Sequence, residues 1–474
     1  MLFPTTDFAL FFAVVFLGHW LLNHFRRPWK LFMVGASYFF YGWWSWRLVW
    51  LLVLVTVLAQ VGALVVARAG ERSRRVAVVV SAGVTLLPLL WFKYYGFLSL
   101  NVKNGLSAVG LSSPLPLVEL ILPVGISFYT FMAVSYVVDV HRGRLSPAPW
   151  LDFFLYLSFF PHLVAGPIVR GEELLPQFRR PRDPRRLDVA GGTWLILRGL
   201  FKKVVISSYV AAAIVDPVFA DPARYGALDV LVAIYGYAIV IYADFSGYTD
   251  IAIGVVTLLG FRFPQNFNRP YVARTVQEFW RRWHMTLSRW LRDYLYIPLG
   301  GSRRGDRRTY VNVMLTMLLG GLWHGAAWTF VLWGGLHGAG LAVGRWRRER
   351  RRAAGLDPLA TDPMARFRQE VATFHFVCLG WIFFRADSIG TAFAVLGRLV
   401  TGWTVGPVLV TPLLVTVLAA SVAAQHLPSR PAERIQVAFS RLRPAFQGVA
   451  MAAGLAAITQ LGPQGVAPFI YFQF

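Results

Sequence analysis

Cysteine is nearly absent. The 474 residues contain one, Cys378, which excludes an internal disulfide and a cysteine-based metal site. Acidic residues are scarce as well, 23 Asp and Glu against 47 Lys and Arg, and charged residues of both signs make up only 15% of the chain, against roughly 25% in an ordinary soluble domain. No two histidines stand at i and i+4 as in a helical zinc motif, and neither a GxSxG elbow nor a P-loop occurs. The N-terminus, MLFPTTDFALFFAVVF, lacks a basic leader region and a small-residue cleavage site, so it reads as a retained first span.

What is abundant is apolar surface. Hydrophobic residues make up 56% of the chain and aromatics 15%, more than a soluble fold of this size can hide. Apolar runs of the ~17–25 residues needed to cross a bilayer recur along the sequence. The net charge of +24 does not mark a nucleic-acid binder, because the Lys and Arg sit in short clusters between apolar runs, the pattern of cytoplasmic loops.

With those basic clusters as markers of the cytoplasmic side, spans are expected near 8–25, 30–45, 48–67, 76–98 and 117–138, with the N-terminus outside. Residues 151–169 lie between two basic loops and contain Pro161, Gly166 and Pro167, so a re-entrant or interfacial segment is expected there. Spans near 189–216 and 229–258 follow the loop 170–187. The stretch 262–308 is too rich in arginine to cross, and an amphipathic helix at the cytoplasmic surface or in a protein-lined cavity is expected. Residues 310–344 are apolar between two arginine runs, which requires a hairpin of two short spans. Spans near 370–384, 406–425 and 445–461 bring the total to about 11–12 and leave the C-terminus outside. No internal repeat divides the chain, so 1–474 reads as a single all-α polytopic membrane domain.

Ionisable groups inside apolar spans are costly and therefore candidates for function. His324, in LLGGLWHGAAW, stands near the middle of the hairpin, flanked by Gly320, Gly321 and Gly325, which leave room for a turn or for a substrate. An imidazole there serves either as a proton acceptor near neutral pH or as a structural group bonded to a neighbouring carbonyl. His284 lies 40 positions earlier, in FWRRWHMTLSRW, and two histidines from these segments can meet in one cavity. Arg281, Arg282, Arg289 and Arg292 around it suit donor phosphates, or else anchor the segment at the positive-inside surface. Asp244 and Asp250, with Ser246 and Thr249, lie within a span and need partners, a histidine or an arginine. Asn266 and Asn268, in FPQNFNRPY, read as turn-formers capping the next helix. His337 follows His324 by thirteen positions, three to four helical turns.

These segments resemble the membrane-bound O-acyltransferase family, in particular the bacterial branch that includes the alginate O-acetyltransferase membrane component. The resemblance rests on LPVGISFYTF, FFPHLVAGPIVR, DFSGYTDIAIG, FPQNFNRPY, EFWRRWHMTLSRWLRDYLYIPLGG, GLWHGAAWTFVLWGGLHG and the terminal FIYFQF, in one order over nearly the whole chain. It implies a helical bundle around a central funnel or tunnel in the inner membrane of a bacterium. His324 corresponds to the family's near-invariant histidine and His284 to its second functional histidine. Arg281, Arg282, Arg289, Arg292, Trp323, Asn268, Asp244, Ser246 and His337 become candidates for binding donor or substrate. At His162 relatives often carry Gln, which leaves that position's role open.

The resemblance further implies that acetyl-CoA is the donor, with no permanently bound cofactor or metal. The acceptor is a hydroxyl on the extracytoplasmic side, of a polysaccharide or of an SGNH-hydrolase-like partner protein. The aromatic terminal FIYFQF either docks such a partner or anchors the chain at the membrane interface. Two other readings stand beside it: D-alanyl transfer from a carrier protein to teichoic acid-type acceptors, and a non-enzymatic exporter or channel.

Overall fold

The computed structural model describes residues 1–474 except Glu119, Ala165, Pro358, Ala360, Thr361 and residues 428–429, 463–468 and 471–474. Among the described residues there are helices and connecting turns but no strand. Among the described residues, four helices are long and apolar enough to cross a membrane: α3 (Trp46–Arg68), α4 (Glu71–Ala108), α7 (Val189–Ala220) and α8 (Ala227–Leu258). Shorter apolar helices, including α1 (Thr6–Leu22), join them. By internal contacts the chain forms two compact units, Met1–Gly192 with Ala252–Pro264, and Thr193–Ile251 with Gln265–Phe474.

In the first unit, α1 and α2 (Arg26–Gly42) precede α3 and α4, and α5 (Ile126–His141) packs against both α3 and α4. Two expected spans differ in extent. The one expected at 76–98 runs on as a 38-residue helix to Ala108, with Pro88 followed by a wide turn of π-helix at Leu90–Tyr94. A proline inside a helix removes one N–H and crowds the preceding turn, and the wider winding absorbs the mismatch. The span expected from 117 begins only at Ile126, because Pro116 and Pro123 keep the approach extended and Gly125 turns it at φ 76°.

The segment expected to be re-entrant is broken and buried. Helix α6 (Trp150–Ser158) stops at Phe159, and a four-residue turn, Phe160–Leu163, follows. Side chains serve the backbone groups that the break releases. Ser37 Oγ accepts from Phe160 N at 3.2 Å and Tyr156 Oη donates to the Val169 carbonyl at 3.0 Å. Irregular backbone away from water needs such partners. His162, fully buried, contacts the Tyr156 carbonyl through Nε2 at 2.9 Å and stacks on Phe263.

Helix α8 carries Asp244 and Asp250, and among the described residues the stretch 262–308 holds no helix long and apolar enough to cross a membrane. It contributes two short helices, α9 (Val276–Arg282) and α10 (Met285–Leu291). The hairpin is formed by α11 (Asp306–His324) and α12 (Trp328–Ala353). Its arms lie close enough that a Cβ on Gly321 would meet the Phe330 carbonyl oxygen at 2.2 Å, and one on Gly334 the Met317 oxygen at 2.4 Å. Gly321 thus serves helix contact rather than a bend or a substrate. Helix α13 (Pro363–Arg385) packs against α12. Next comes α14 (Ile389–Thr401), which the sequence reading passed over. It is a one-sided helix burying Ala392 and Val395, so no long apolar run marked it. Helices α15 (Pro412–His426), α16 (Arg430–Ser440) and α17 (Pro444–Leu461) complete the order.

Candidate active site

His324 is the last residue of α11, where the hairpin turns through Gly325–Ala327. The residue is 3% exposed, and its ring is met edge-on by Trp323, Trp333 and Phe384, with centroids 4.9, 4.9 and 5.1 Å away. Eighteen helical steps from Asp306 carry it roughly 27 Å along the axis from the arginine-rich base of the hairpin.

His284 joins α9 to α10 at a kink. Its backbone takes the left-handed conformation, φ 39° and ψ 56°, costly for any residue with a Cβ. Asn266 holds the kink. Its carbonyl accepts from Met285 N at 2.9 Å, and its side-chain Oδ1 accepts from Thr286 N at 3.2 Å and Thr286 Oγ at 2.9 Å. The same Oδ1 lies 3.1 Å from His284 Nδ1. An oxygen already accepting two hydrogen bonds calls for a proton on Nδ1, which leaves the neutral ring's lone pair on Nε2. Phe245 of α8 meets this ring edge-on at 4.6 Å. Trp323 links the two histidines: its ring lies 6.1 Å from His284 and 4.9 Å from His324.

His337, one turn beyond Trp333 on α12, is fully buried. Its Nδ1 accepts from Trp280 Nε1–H at 3.3 Å, so its proton resides on Nε2, the reverse of His284.

A cavity of about 450 Å³, within the ~300–1,000 Å³ of small-molecule sites, climbs α11 from Thr309 through Val313 to Thr316 and Met317. Its upper end is two helical turns short of His324. Trp280 and Met285, beside His337 and His284, line it as well. Five arginines complete the lining: Arg281, Arg289, Arg292, Arg345 and Arg348. Arg292 pairs with Asp293 at 2.6 Å, and Arg345 with Asp306 and Glu349, each at 2.7 Å. Among the described residues Arg281 and Arg348 have no carboxylate within ion-pair distance, and Arg348 feels the repulsion of Arg281, Arg345 and Arg352. Convergent unneutralised guanidinium groups favour a polyanion.

Other sequence candidates fall elsewhere. Arg282 is turned away from the cavity, bonding Glu278 through Nε at 3.1 Å and Nη2 at 2.8 Å. The side chain of Asn268 is exposed, and its backbone N–H donates to the Arg282 carbonyl. Asp244 pairs with buried Lys203. Asp250 pairs with Arg198 and with Lys202, both at 2.7 Å. Lys202 also reaches Ser246 at 3.3 Å. A π-wound stretch of α7, Phe201–Ser207, lets the consecutive lysines serve carboxylates six residues apart on α8. Asp244 Oδ2 accepts from Ile470 N at 3.0 Å, and Phe469 packs on Phe245 and Tyr248. Of the terminal FIYFQF, Phe469 and Ile470 are therefore buried rather than displayed to a partner; the other four residues lie outside the described residues.

The sequence reading missed Asn266 as the partner of His284, and Lys203, Trp333 and Arg348 altogether. Lys202 and Lys203 carried a usable signal, being charges inside an apolar run like the aspartates they meet.

Residues 36–383 match the model of the membrane-bound O-acyltransferase family. The chain belongs to that family. The matched segment contains His284, His324, His337 and every arginine of the cavity. The O-acyltransferase is 40% identical to the probable alginate O-acetylase AlgI of Pseudomonas aeruginosa, over 83% of this chain and 73% of that one. It is 36% identical to the probable alginate O-acetylase AlgI of Pseudomonas putida over the full length of both. Identity to the peptidoglycan O-acetyltransferase of Helicobacter pylori is also 36%, over 84% and 80% of the two chains. The O-acyltransferase is thus an enzyme and a multi-pass bacterial membrane protein.

Proposed function

We propose that this O-acyltransferase moves an acetyl group from cytoplasmic acetyl-CoA to a hydroxyl on the outer side of the inner membrane. The acceptor is a cell-surface polysaccharide, reached directly or through the serine of an SGNH-hydrolase-like partner. The observation that carries the reading is the cavity itself: unneutralised arginines at its base, and an upper end two turns below a buried histidine. On this reading both termini lie outside.

The diphosphate and ribose phosphate of the donor sit at Arg281 and Arg348, and its extended arm runs up α11. His284 orients the arm, its Nε2 lone pair accepting from an amide N–H. His324 removes the proton of the acceptor hydroxyl as oxygen attacks the thioester carbon. The carbonyl electron pair moves onto oxygen and returns as the C–S bond breaks, and the coenzyme thiolate leaves with the proton from His324. General-base help of this kind contributes about 10²–10⁴-fold.

The test is acetyl transfer in proteoliposomes from labelled acetyl-CoA to a polysaccharide or partner-protein acceptor, beside an arm with a D-alanyl-charged carrier protein. Transfer only from the carrier protein would replace the donor in this reading. Solute flux without covalent change would remove the enzyme mechanism proposed.

A further inference from the structure

His324 accounts for the proton but not for the negative charge that develops on the acyl oxygen. Such charge is stabilised by N–H or O–H donors fixed in a dry site. His284 supplies none at Nε2 in the tautomer that Asn266 selects. The donors needed are found one turn apart on α12.

Trp333 is 1% exposed and His337 0%. Among the described residues neither Trp333 Nε1 nor His337 Nε2 meets a hydrogen-bond acceptor. Both carry a proton, the indole by its chemistry and His337 because Trp280 donates to its Nδ1. Buried donors normally find partners, and two orphans on neighbouring rings call for an explanation. Their ring centroids are 4.8 Å apart, and the Trp333 ring also meets that of His324 at 4.9 Å.

Both rings turn an edge toward Gly380 of α13. A Cβ built there would lie 2.9 Å from His337 Nε2 and 3.5 Å from Trp333 Cδ1, the carbon bonded to Nε1. Any larger residue at 380 would press on the two donor edges. Phe384, one turn further along α13, closes the His324 side of the same cluster.

We propose that Trp333 Nε1–H and His337 Nε2–H are the donors that receive the carbonyl oxygen of the thioester and hold it as an oxyanion, with Gly380 keeping their edges clear. The inference rests on the acyl-transfer reading above. It divides the labour within the cluster: His324 takes the proton from the attacking hydroxyl, while the two N–H groups take the charge that attack pushes onto oxygen. When the C–S bond breaks, that charge returns to the carbonyl and passes to the leaving thiolate, so the donors lose no proton.

The test compares Trp333→Phe, His337→Phe, His337→Gln and Gly380→Ala with the wild-type protein in proteoliposomes. It measures kcat and KM for acetyl-CoA, and the binding of S-ethyl-CoA, a thioether that has no carbonyl. Trp333→Phe and His337→Phe are expected to lower kcat by about 10²–10³-fold while S-ethyl-CoA binds as before. His337→Gln, which keeps an N–H donor, should recover at least tenfold over His337→Phe. Gly380→Ala, which presses on both donor edges, should lower kcat, with its thermal midpoint read beside it to separate that loss from overpacking.

Trp333→Phe within threefold of wild type would overturn the assignment. Equal losses in His337→Gln and His337→Phe would do the same, as would loss of S-ethyl-CoA binding in step with kcat, which marks a packing role. Absence of transfer from acetyl-CoA by the wild-type protein would instead overturn the donor reading, and this inference with it.

Discussion

Asn266 Oδ1 holds His284 Nδ1 at 3.1 Å across the kink between α9 and α10, while the backbone of His284 stands at φ 39°. One amide thus stabilises a strained backbone, caps the first turn of α10 through Thr286, and selects the tautomer of a buried imidazole. Asn266→Leu, similar in size but without the acceptor, is expected to lower kcat roughly 100-fold, the scale of a misplaced reacting group. The variant loses stability as well, because buried donors of Thr286 lose their acceptor, so steady-state rates on protein shown to be folded check this; an unchanged kcat would free His284 from any orienting role.

For His324 the prediction is sharper. His324→Ala should reduce acetyl transfer by about 10²–10⁴-fold; it also removes the ring's edge-on contacts and leaves a cavity, so the rate is read on protein shown to be inserted and folded. Near-normal turnover in this variant would remove it as the base.

The two neighbouring arginines of α9 should separate cleanly. Arg281 faces the cavity and Arg282 is held by Glu278. Arg281→Ala is expected to raise KM for acetyl-CoA about three- to tenfold, a value discounted for its solvent exposure, with kcat little changed. Arg282→Ala should leave KM alone and lower stability slightly. KM values that move together in both variants would argue for a diffuse surface field instead of a cavity site.

The Lys203–Asp244 pair is a structural element of α7 and α8. Lys203→Met should destabilise the protein by about 3–5 kcal/mol, since it strands a buried carboxylate. Adding Asp244→Asn, which still accepts from Ile470 N, should recover most of that loss. Denaturation of the four proteins in mild detergent completes the cycle, and additive losses would show that the two side chains do not act as a pair.

Much of this molecule was legible in its sequence. Apolar runs bounded by arginines located most of the helices and the hairpin, because a chain in lipid must satisfy its backbone internally and the helix does so segment by segment. The same logic of cost singled out His324 and Asp244, since a polar group in an apolar run needs a reason to be there. The limits of helices α4 and α5 were less legible, because a π-turn and two prolines act locally against the apolar pattern.

What only tertiary structure decided is which of the candidates meet. Arg281 and Arg282 are adjacent and chemically identical, yet the rotation of α9 sends one to the cavity and the other to Glu278. Asn266, not Asn268, reaches His284, and Lys203, neither a histidine nor an arginine, reaches Asp244. His324 stayed an isolated histidine in the hairpin until folding set Trp333, Phe384 and the upper end of an arginine-based cavity around and below it. Such pairings depend on the rotation and separation of elements distant in sequence, and periodicity carries no record of either.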